Sequence, residues 1–365
     1  MSPPGRPKGE HRKAQPEGSP LSSDCPDAAR LASFVRERVG PFDGELALRR
    51  IEGGQSNPTW IVDAGGRPRW VLRAKPQGAL LPSAHAIERE FRVMRALAGS
   101  AVPVPRVRVL CEDPKVLGSA FYLMDFVEGR ILGDQTLPEM TVGERHALYD
   151  DMNRVIADLH RVDAAAAGLG DFGRPGHYVQ RQIERWTKQY RAAETRRIDA
   201  MERLIEWLPA HLPPQSGQGI VHGDYRLDNL VLHATEPRVI AVLDWELSTL
   251  GDPLVDFAYH CLTWRIPLGT RRTLAGVELA PLGIPTEAEH LAAYCRRMGI
   301  DLDVANARWP GDLALNMFRL AAIQQGIARR ALDGSAAHSH ALAAGERAQA
   351  TAEAGWAVLR QAGAT

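Results

Sequence analysis

The spacing of apolar residues changes partway along the chain, and that change narrows the choice of folds more than any other feature. Up to about residue 127 the apolar residues fall in short runs: Leu46-Ala-Leu48, Thr59-Trp-Ile-Val62, Trp70-Val-Leu-Arg73, Val107 to Cys111 and Phe121-Tyr-Leu-Met-Asp-Phe-Val127. Gly53-Gly54-Gln55-Ser56-Asn57-Pro58 and Gly65-Gly66-Arg67-Pro68 separate the first three with turn chemistry, so these read as an antiparallel meander. Beyond Gly129 a 3.6-residue period takes over, across about 140–165, 177–212, 252–264, 286–298, 308–332 and 338–362. Only three short strands interrupt it, Gly219 to His222, Leu230 to Leu232 and Val239 to Leu243. Two helices are expected in the first part: Asp27 to Val39, and one presenting Ile87, Phe91, Met94 and Leu97 on one face, capped by Ser83 and followed by the breakers Pro103 and Pro105. The expected class is α+β, with a small antiparallel β lobe followed by a larger, mostly helical lobe, joined near Val127 to Arg130.

Length and charge agree with that division. A chain of 365 residues that is 45% hydrophobic can bury a core in each of two lobes. We divide it into a disordered tail over 1–25, rich in Pro, Gly, Ser and charge, an N-lobe over 26–127 and a C-lobe over 128–365. Basic and acidic residues balance at 44 each, which removes the summed field that nucleic acid or anionic membrane binding requires. Cys25, Cys111, Cys261 and Cys295 lack the spacing of a zinc site or disulfide framework. With no apolar run of membrane-spanning length and no secretory h-region, a soluble cytoplasmic protein is expected.

The chemistry concentrates in Val221-His222-Gly223-Asp224-Tyr225-Arg226-Leu227-Asp228-Asn229 and Val242-Leu243-Asp244-Trp245-Glu246. Apolar strands flank both polar loops, so their carboxylate and amide groups converge at strand ends. Phosphoryl transfer requires such a set: a carboxylate to orient and accept the proton of the attacking hydroxyl, and oxygen ligands to hold Mg²⁺ against the nucleotide phosphates. Asp224 suits the base, and Asn229 and Asp244 suit the metal.

An Asn five residues after a catalytic Asp, then a second Asp beyond a hairpin, is the pattern of protein kinase catalytic loops. The His-Gly-Asp version resembles the aminoglycoside phosphotransferase and choline kinase branch of that superfamily, as do Gly251-Asp252-Pro253 and Asp256-Phe257-Ala258 downstream. The resemblance implies a bilobal protein kinase-like fold, with ATP and Mg²⁺ as cofactors. It further implies a phosphate-covering turn at Gly53, Gly54 and Ser56, and a cation for the α- and β-phosphates at Arg73 or Lys75. Those two share a strand face; Arg73 directly follows the apolar run, while Lys75 is one of only five lysines among the 44 basic residues. Glu90 resembles the carboxylate that pairs with that cation, with Glu88 as its competitor. Asp125 to Val127 resembles the connection whose backbone reads the adenine edge. His222 is expected to be structural, Asp252 an N-cap and Asp256 a support for the catalytic loop.

The acceptor side is less constrained. Residues 260–365 hold 11 Lys and Arg against 9 Asp and Glu, without the acidic excess that a polycationic aminoglycoside calls for. Trp70-Val-Leu-Arg-Ala-Lys-Pro, Ser83-Ala-His85 and Tyr178 to Tyr190 resemble the kinase domains associated with acyl-CoA dehydrogenases. That resemblance implies a hydroxyacyl-CoA as the small-molecule acceptor, a separate acyl-CoA dehydrogenase as partner, and Arg181, Arg185 and Lys188 facing CoA phosphates. The alternatives are an aminoglycoside or choline-type kinase, and a catalytically silent nucleotide-binding scaffold.

Overall fold

The structure, a computed structural model, describes residues 25–51, 57–76, 86–211, 217–266, 273–333 and 343–364. The phosphate-covering turn with Gly53, Gly54 and Ser56, the Ser83 cap and the tail up to residue 24 lie outside these residues. The chain opens on α1 (Ala28–Arg38), whose first turn is capped by the Asp27 carboxylate, accepting from the N–H groups of Ala29 and Arg30. Strands β1 (Leu46–Arg50), β2 (Thr59–Ala64) and β3 (Arg67–Ala74) form the expected meander. After α2 (Ile87–Leu97) come β4 (Val107–Cys111), the one-turn α3 (Pro114–Leu117) and β5 (Phe121–Asp125), completing an antiparallel sheet of order β1-β2-β3-β5-β4. Leu31 and Val35 of α1 pack with Trp60, Val62, Trp70, Leu72, Phe121 and Leu123 to give this lobe its own core. The N-cap of α2 is Ala86, with no side-chain hydrogen bond, rather than Ser83.

The second lobe is helical as its period requires. It comprises α4 (Val142–His160), α5 (Tyr178–Ala193), α6 (Asp199–His211), α7 (Pro253–His260), α8 (Glu287–Met298), α9 (Leu302–Leu332) and α10 (Ala343–Gln361). Two small antiparallel pairs lie among them, β6 (Gly219–Val221) with β9 (Thr249–Gly251) and β7 (Leu230–Leu232) with β8 (Val239–Val242). The single helical stretch expected over 177–212 is two helices, and the break at 194–198 has no Gly or Pro to announce it. Helix α9 begins six residues before the expected 308. Its early apolar residues Leu302 and Val304 are exposed, and Pro310, which reads as a breaker, is carried inside the helix.

What joins the lobes also positions the site. The inner face of α2, Ile87, Val93, Met94 and Leu97, belongs to the same core as Leu148, Met152, Leu230, Val242 and Trp245 of the helical lobe. Behind β5 the chain crosses at Gly129, where a Cβ would lie 2.3 Å from the Leu232 carbonyl oxygen, so no larger residue passes this close to β7. Arg130 then exchanges backbone hydrogen bonds of 2.8 Å with Leu232.

Candidate active site

Asp224 stands in the loop after β6, and the preceding residues hold the loop in place. Gly223 has φ +82°, and a Cβ there would meet Leu247 at 3.0 Å, so both conformation and space call for glycine in the His-Gly-Asp sequence. The N–H groups of His222 and Gly223 each donate to the buried Asp256 carboxylate at 2.8 Å. Asp256 also faces His160 Nε2 at 3.1 Å, while His160 Nδ1 lies 2.7 Å from the Tyr294 hydroxyl. Burial pushes the Asp256 carboxyl up, but the hydrogen bonds from His160 and from the His222 backbone outweigh it and hold the group below the usual carboxylate range. His222 itself is wholly buried. Its Nδ1 accepts from the Asp224 N–H at 3.1 Å, so Nε2 carries the proton and donates to the Leu243 carbonyl at 2.9 Å. One imidazole thereby ties the Asp224 loop to the strand end that delivers Asp244. The structural reading of His222 and Asp256 matches this geometry, and Asp252 caps α7 as expected while receiving Arg308 at 2.8 Å.

Three donors fix the Asp224 carboxylate. Tyr259 Oη donates to Oδ1 at 2.6 Å, Asn229 Nδ2 to Oδ2 at 2.9 Å and Arg226 Nε to Oδ2 at 3.2 Å. Burial and the neighbouring Asp224 raise the Tyr259 phenol, so it stays protonated and donating. Asn229 Nδ2 also donates to the Asp224 carbonyl at 2.9 Å, which settles the amide's orientation and leaves Oδ1 as its outward acceptor. Asp244 follows β8 in the left-handed region, at φ 64° and ψ 64°, a conformation that costs a non-glycine residue energy and recurs at functional positions.

Facing these groups, Arg73 reaches across from β3. Its Nη2 lies 3.2 Å from Asp244 Oδ1 and 3.3 Å from Glu246 Oε2, and its Nε 2.8 Å from Glu90 Oε2. The structure thus places Arg73, rather than Lys75, between Glu90 and Asp244; Lys75 pairs with the half-exposed Glu88 at 2.8 Å. Glu90 is almost wholly buried and accepts from Asn57 Nδ2 at 2.9 Å and Tyr122 Oη at 3.0 Å. Burial pushes its carboxyl up to about 7, against the pull of Arg73 and Tyr122.

Because the folded carboxyl holds its proton more tightly than the ordinary value of 4.5, its contribution to stability is full below that value and is lost as pH rises through about 7. Urea unfolding compared at pH 5 and pH 8 therefore shows a smaller loss of stability in Glu90→Gln than in the parent chain. Equal losses in both would contradict the assignment.

At the inter-lobe connection, the Asp125 side chain is held bidentately by Arg108 at 2.6 and 2.7 Å. The N–H groups of Asp125 and Phe126 donate to Arg106 and Arg69 carbonyls at 2.8 and 3.0 Å. Half-buried Val127 is the first residue past that ladder. The sequence reading missed Tyr259, Arg226, Tyr122 and Asn57. Arg226 sits inside the motif, and Tyr259 lies one helical turn after Asp256, a spacing that could have drawn attention to it; Tyr122 is an unremarkable strand residue by sequence.

Among the described residues no cluster of three or more His, Cys, Asp or Glu could hold a metal ion unaided, and no helix is long and apolar enough to cross a membrane. What the loops offer instead is one amide oxygen from Asn229 and one partly exposed carboxylate from Asp244, with Glu246 nearby. This hard-oxygen set suits Mg²⁺, which takes few protein ligands and completes its shell with phosphate oxygens and water.

Comparison with known proteins accords with this arrangement. The chain is 48% identical over 329 residues to mouse acyl-CoA dehydrogenase family member 10, covering 89% of this chain and 30% of that protein. It spans only 30% to 43% of the length of such curated relatives. A Ralstonia eutropha structure assigned to the aminoglycoside phosphotransferases is 51% identical with a TM-score of 0.82, covering 92% of this chain and 99% of that one. Aminoglycoside phosphotransferase APH(4)-Ia, solved with ADP and hygromycin B, shares the fold at 17% identity and a TM-score of 0.59, covering 92% of this chain and 99% of that one. The phosphotransferase enzyme family (APH) matches residues 47–297. The chain belongs to that family and has a bilobal protein kinase-like fold.

Proposed function

We propose that this protein transfers the γ-phosphoryl group of ATP to a hydroxyl of a small molecule, with Mg²⁺ held by Asn229 and Asp244. The observation that carries the reading is the Asp224 carboxylate, gripped by Tyr259, Asn229 and Arg226 in a loop whose neighbour Asp244 meets Arg73 from the opposite lobe. Residues 26–127 then serve as the nucleotide-binding lobe and 128–365 as the catalytic and acceptor-binding lobe. Asp224 orients the acceptor hydroxyl and takes its proton. Arg73, kept in place by Glu90, swings from Asp244 and Glu246 toward the α- and β-phosphates when nucleotide arrives. Of Asp125 to Val127, whose first two N–H groups are taken by Arg106 and Arg69, Val127 presents its backbone to the adenine edge, and Gly53, Gly54 and Ser56 cover the phosphates. Lys75, engaged by Glu88, is given no phosphate contact. Mg²⁺, when bound, neutralises charge on the β- and γ-phosphates.

A hydroxyacyl-CoA is the proposed acceptor, and an acyl-CoA dehydrogenase the proposed partner. Support comes from the names of the curated relatives, whose remaining length this chain does not span. Asp244→Ala removes a metal ligand while leaving the loop tethered through His222. Calorimetry should therefore show that the enhancement of ATP binding by Mg²⁺ is lost in this variant, and full Mg²⁺-dependent affinity would contradict the assignment.

A further inference from the structure

Three consecutive residues in the first turn of α2 are committed in different directions. Glu88 meets Lys75, just past β3, and Glu90 meets Arg73 Nε of β3, both at 2.8 Å. Arg89, between them, turns to the helical lobe. Its Nη2 donates to the Phe172 carbonyl at 2.6 Å and to the Ser248 carbonyl at 3.3 Å, and its guanidinium lies 4.2 Å from the centroid of the Phe172 ring. Burial and the nearby Arg92 lower the proton affinity of Arg89, against the pull of Asp171. Carbonyl dipoles and the face of a ring therefore hold this partly buried cation in place.

Both of its targets are themselves fixed. Phe172, between α4 and α5, is wholly buried in the core of the helical lobe. At the next residue, Gly173, a Cβ would lie 2.5 Å from Thr249 Oγ1 and 2.7 Å from the Leu250 nitrogen, so this segment is pressed against β9. Ser248, 3% exposed, closes the turn that Asp244 opens, its N–H and hydroxyl donating to the Trp245 carbonyl at 3.1 and 2.7 Å. Arg92, three residues along α2, adds to the joint by donating to the Gly168 carbonyl at 2.8 Å and pairing with Asp171. Most buried side chains of the sheet pack with α1, whereas the buried apolar face of α2 belongs to the core of the helical lobe.

Resting on the nucleotide-binding reading above, we propose that α2 moves as part of the helical lobe and that Arg89 is the positioning residue of the phosphate site. Its latch fixes Glu90, Glu90 fixes the Arg73 guanidinium, and the affinity for nucleotide phosphates follows. Through Ser248 the same side chain keeps α2 in step with the Asp244 turn, so closure of the lobes carries β3 and Arg73 past an α2 that stays fixed relative to Asp244.

Calorimetric titration of the full chain with ATP and Mg²⁺, and with adenosine, which has no phosphate, tests this in the parent, Arg89→Met and Arg89→Lys. Methionine keeps much of the side-chain length and removes the donors. It weakens ATP by roughly tenfold or more, as expected when a charge-assisted contact is misplaced, and leaves adenosine unchanged. Lysine keeps the charge and one donor, so its ATP affinity falls between the other two. Hydrogen exchange of the α2 amides, which needs no nucleotide, speeds up in the same order, lysine before methionine. ATP affinity equal to the parent's in both variants, an equal loss for ATP and adenosine, or unchanged exchange in α2 would overturn the proposal. A parent chain that binds neither ligand removes the nucleotide reading and the phosphate role of Arg89 with it, while faster α2 exchange in Arg89→Met would still establish the latch.

Discussion

Replacing Asp224 by Asn lowers kcat for phosphoryl transfer by roughly two to four orders of magnitude, the usual worth of a positioned general base. The geometry allows this loss without a loss of fold. Tyr259, Asn229 and Arg226 surround the side chain with donors, and an amide oxygen can still accept from part of that set. It cannot take the hydroxyl proton, and its NH₂ group faces donors where an acceptor stood. Since Arg73 and Asp244 are untouched, the KM for ATP stays close to that of the parent chain, and kcat and kcat/KM fall together. A variant that kept more than about a tenth of the parent kcat would show that orientation alone, without proton acceptance, suffices at this position.

Asp256→Ala acts on the same loop from below, and its main effect is on stability. The carboxylate serves the N–H groups of His222 and Gly223 and Nε2 of His160, all within the protein interior. Alanine leaves two backbone donors and an imidazole N–H unpaired, each costing about 1–3 kcal/mol, so a total of at least about 3 kcal/mol is expected. The loop's backbone anchor goes with it, and kcat falls even where the folded fraction is corrected for. Asp256→Asn retains one acceptor oxygen and should lose less on both counts. The urea midpoints of the three proteins check the order, with parent above Asn and Asn above Ala. A midpoint for Asp256→Ala equal to that of the parent would mean that the loop is held without it, by His222 and by Arg319, whose Nη2 donates to the Gly223 carbonyl at 2.6 Å.

How far these residues were legible in the sequence depended on whether their contacts were local. His222, Gly223, Asp224, Asn229 and Asp244 declare themselves because the chemistry requires their types at fixed short spacings and because strands with unmistakable apolar runs deliver them. Asp252 was readable as a cap from Pro253 alone. The Arg73 and Lys75 alternatives could not be separated, since alternation puts both on one face. What separates them is that Arg73 extends to Glu90 and across the lobes to Asp244, while Lys75, just past the end of β3, meets Glu88. Tyr259 offered only its helical spacing from Asp256, and Arg319 offered nothing, because they act on residues 35 and 96 positions away in sequence. The helical boundaries failed where burial, not periodicity, decides. The break between α5 and α6 is shaped by tertiary contacts, with Gln325 of α9 donating to Thr195 and Arg191 bridging to Glu202 at 2.5 Å.

Transfer of the γ-phosphoryl group itself tests the account most directly. The full chain is incubated with γ-labelled ATP, Mg²⁺ and a panel of hydroxyacyl-CoAs, hydroxy acids, aminoglycosides and choline, and the products are read by mass spectrometry. The prediction is a gain of one phosphate on a hydroxyacyl-CoA, dependent on Mg²⁺ and slowed at least about a hundredfold in Asp224→Asn. Label remaining in ATP across the whole panel, or label transferred equally by Asp224→Asn, would contradict the assignment of Asp224 as the base of a small-molecule phosphotransferase.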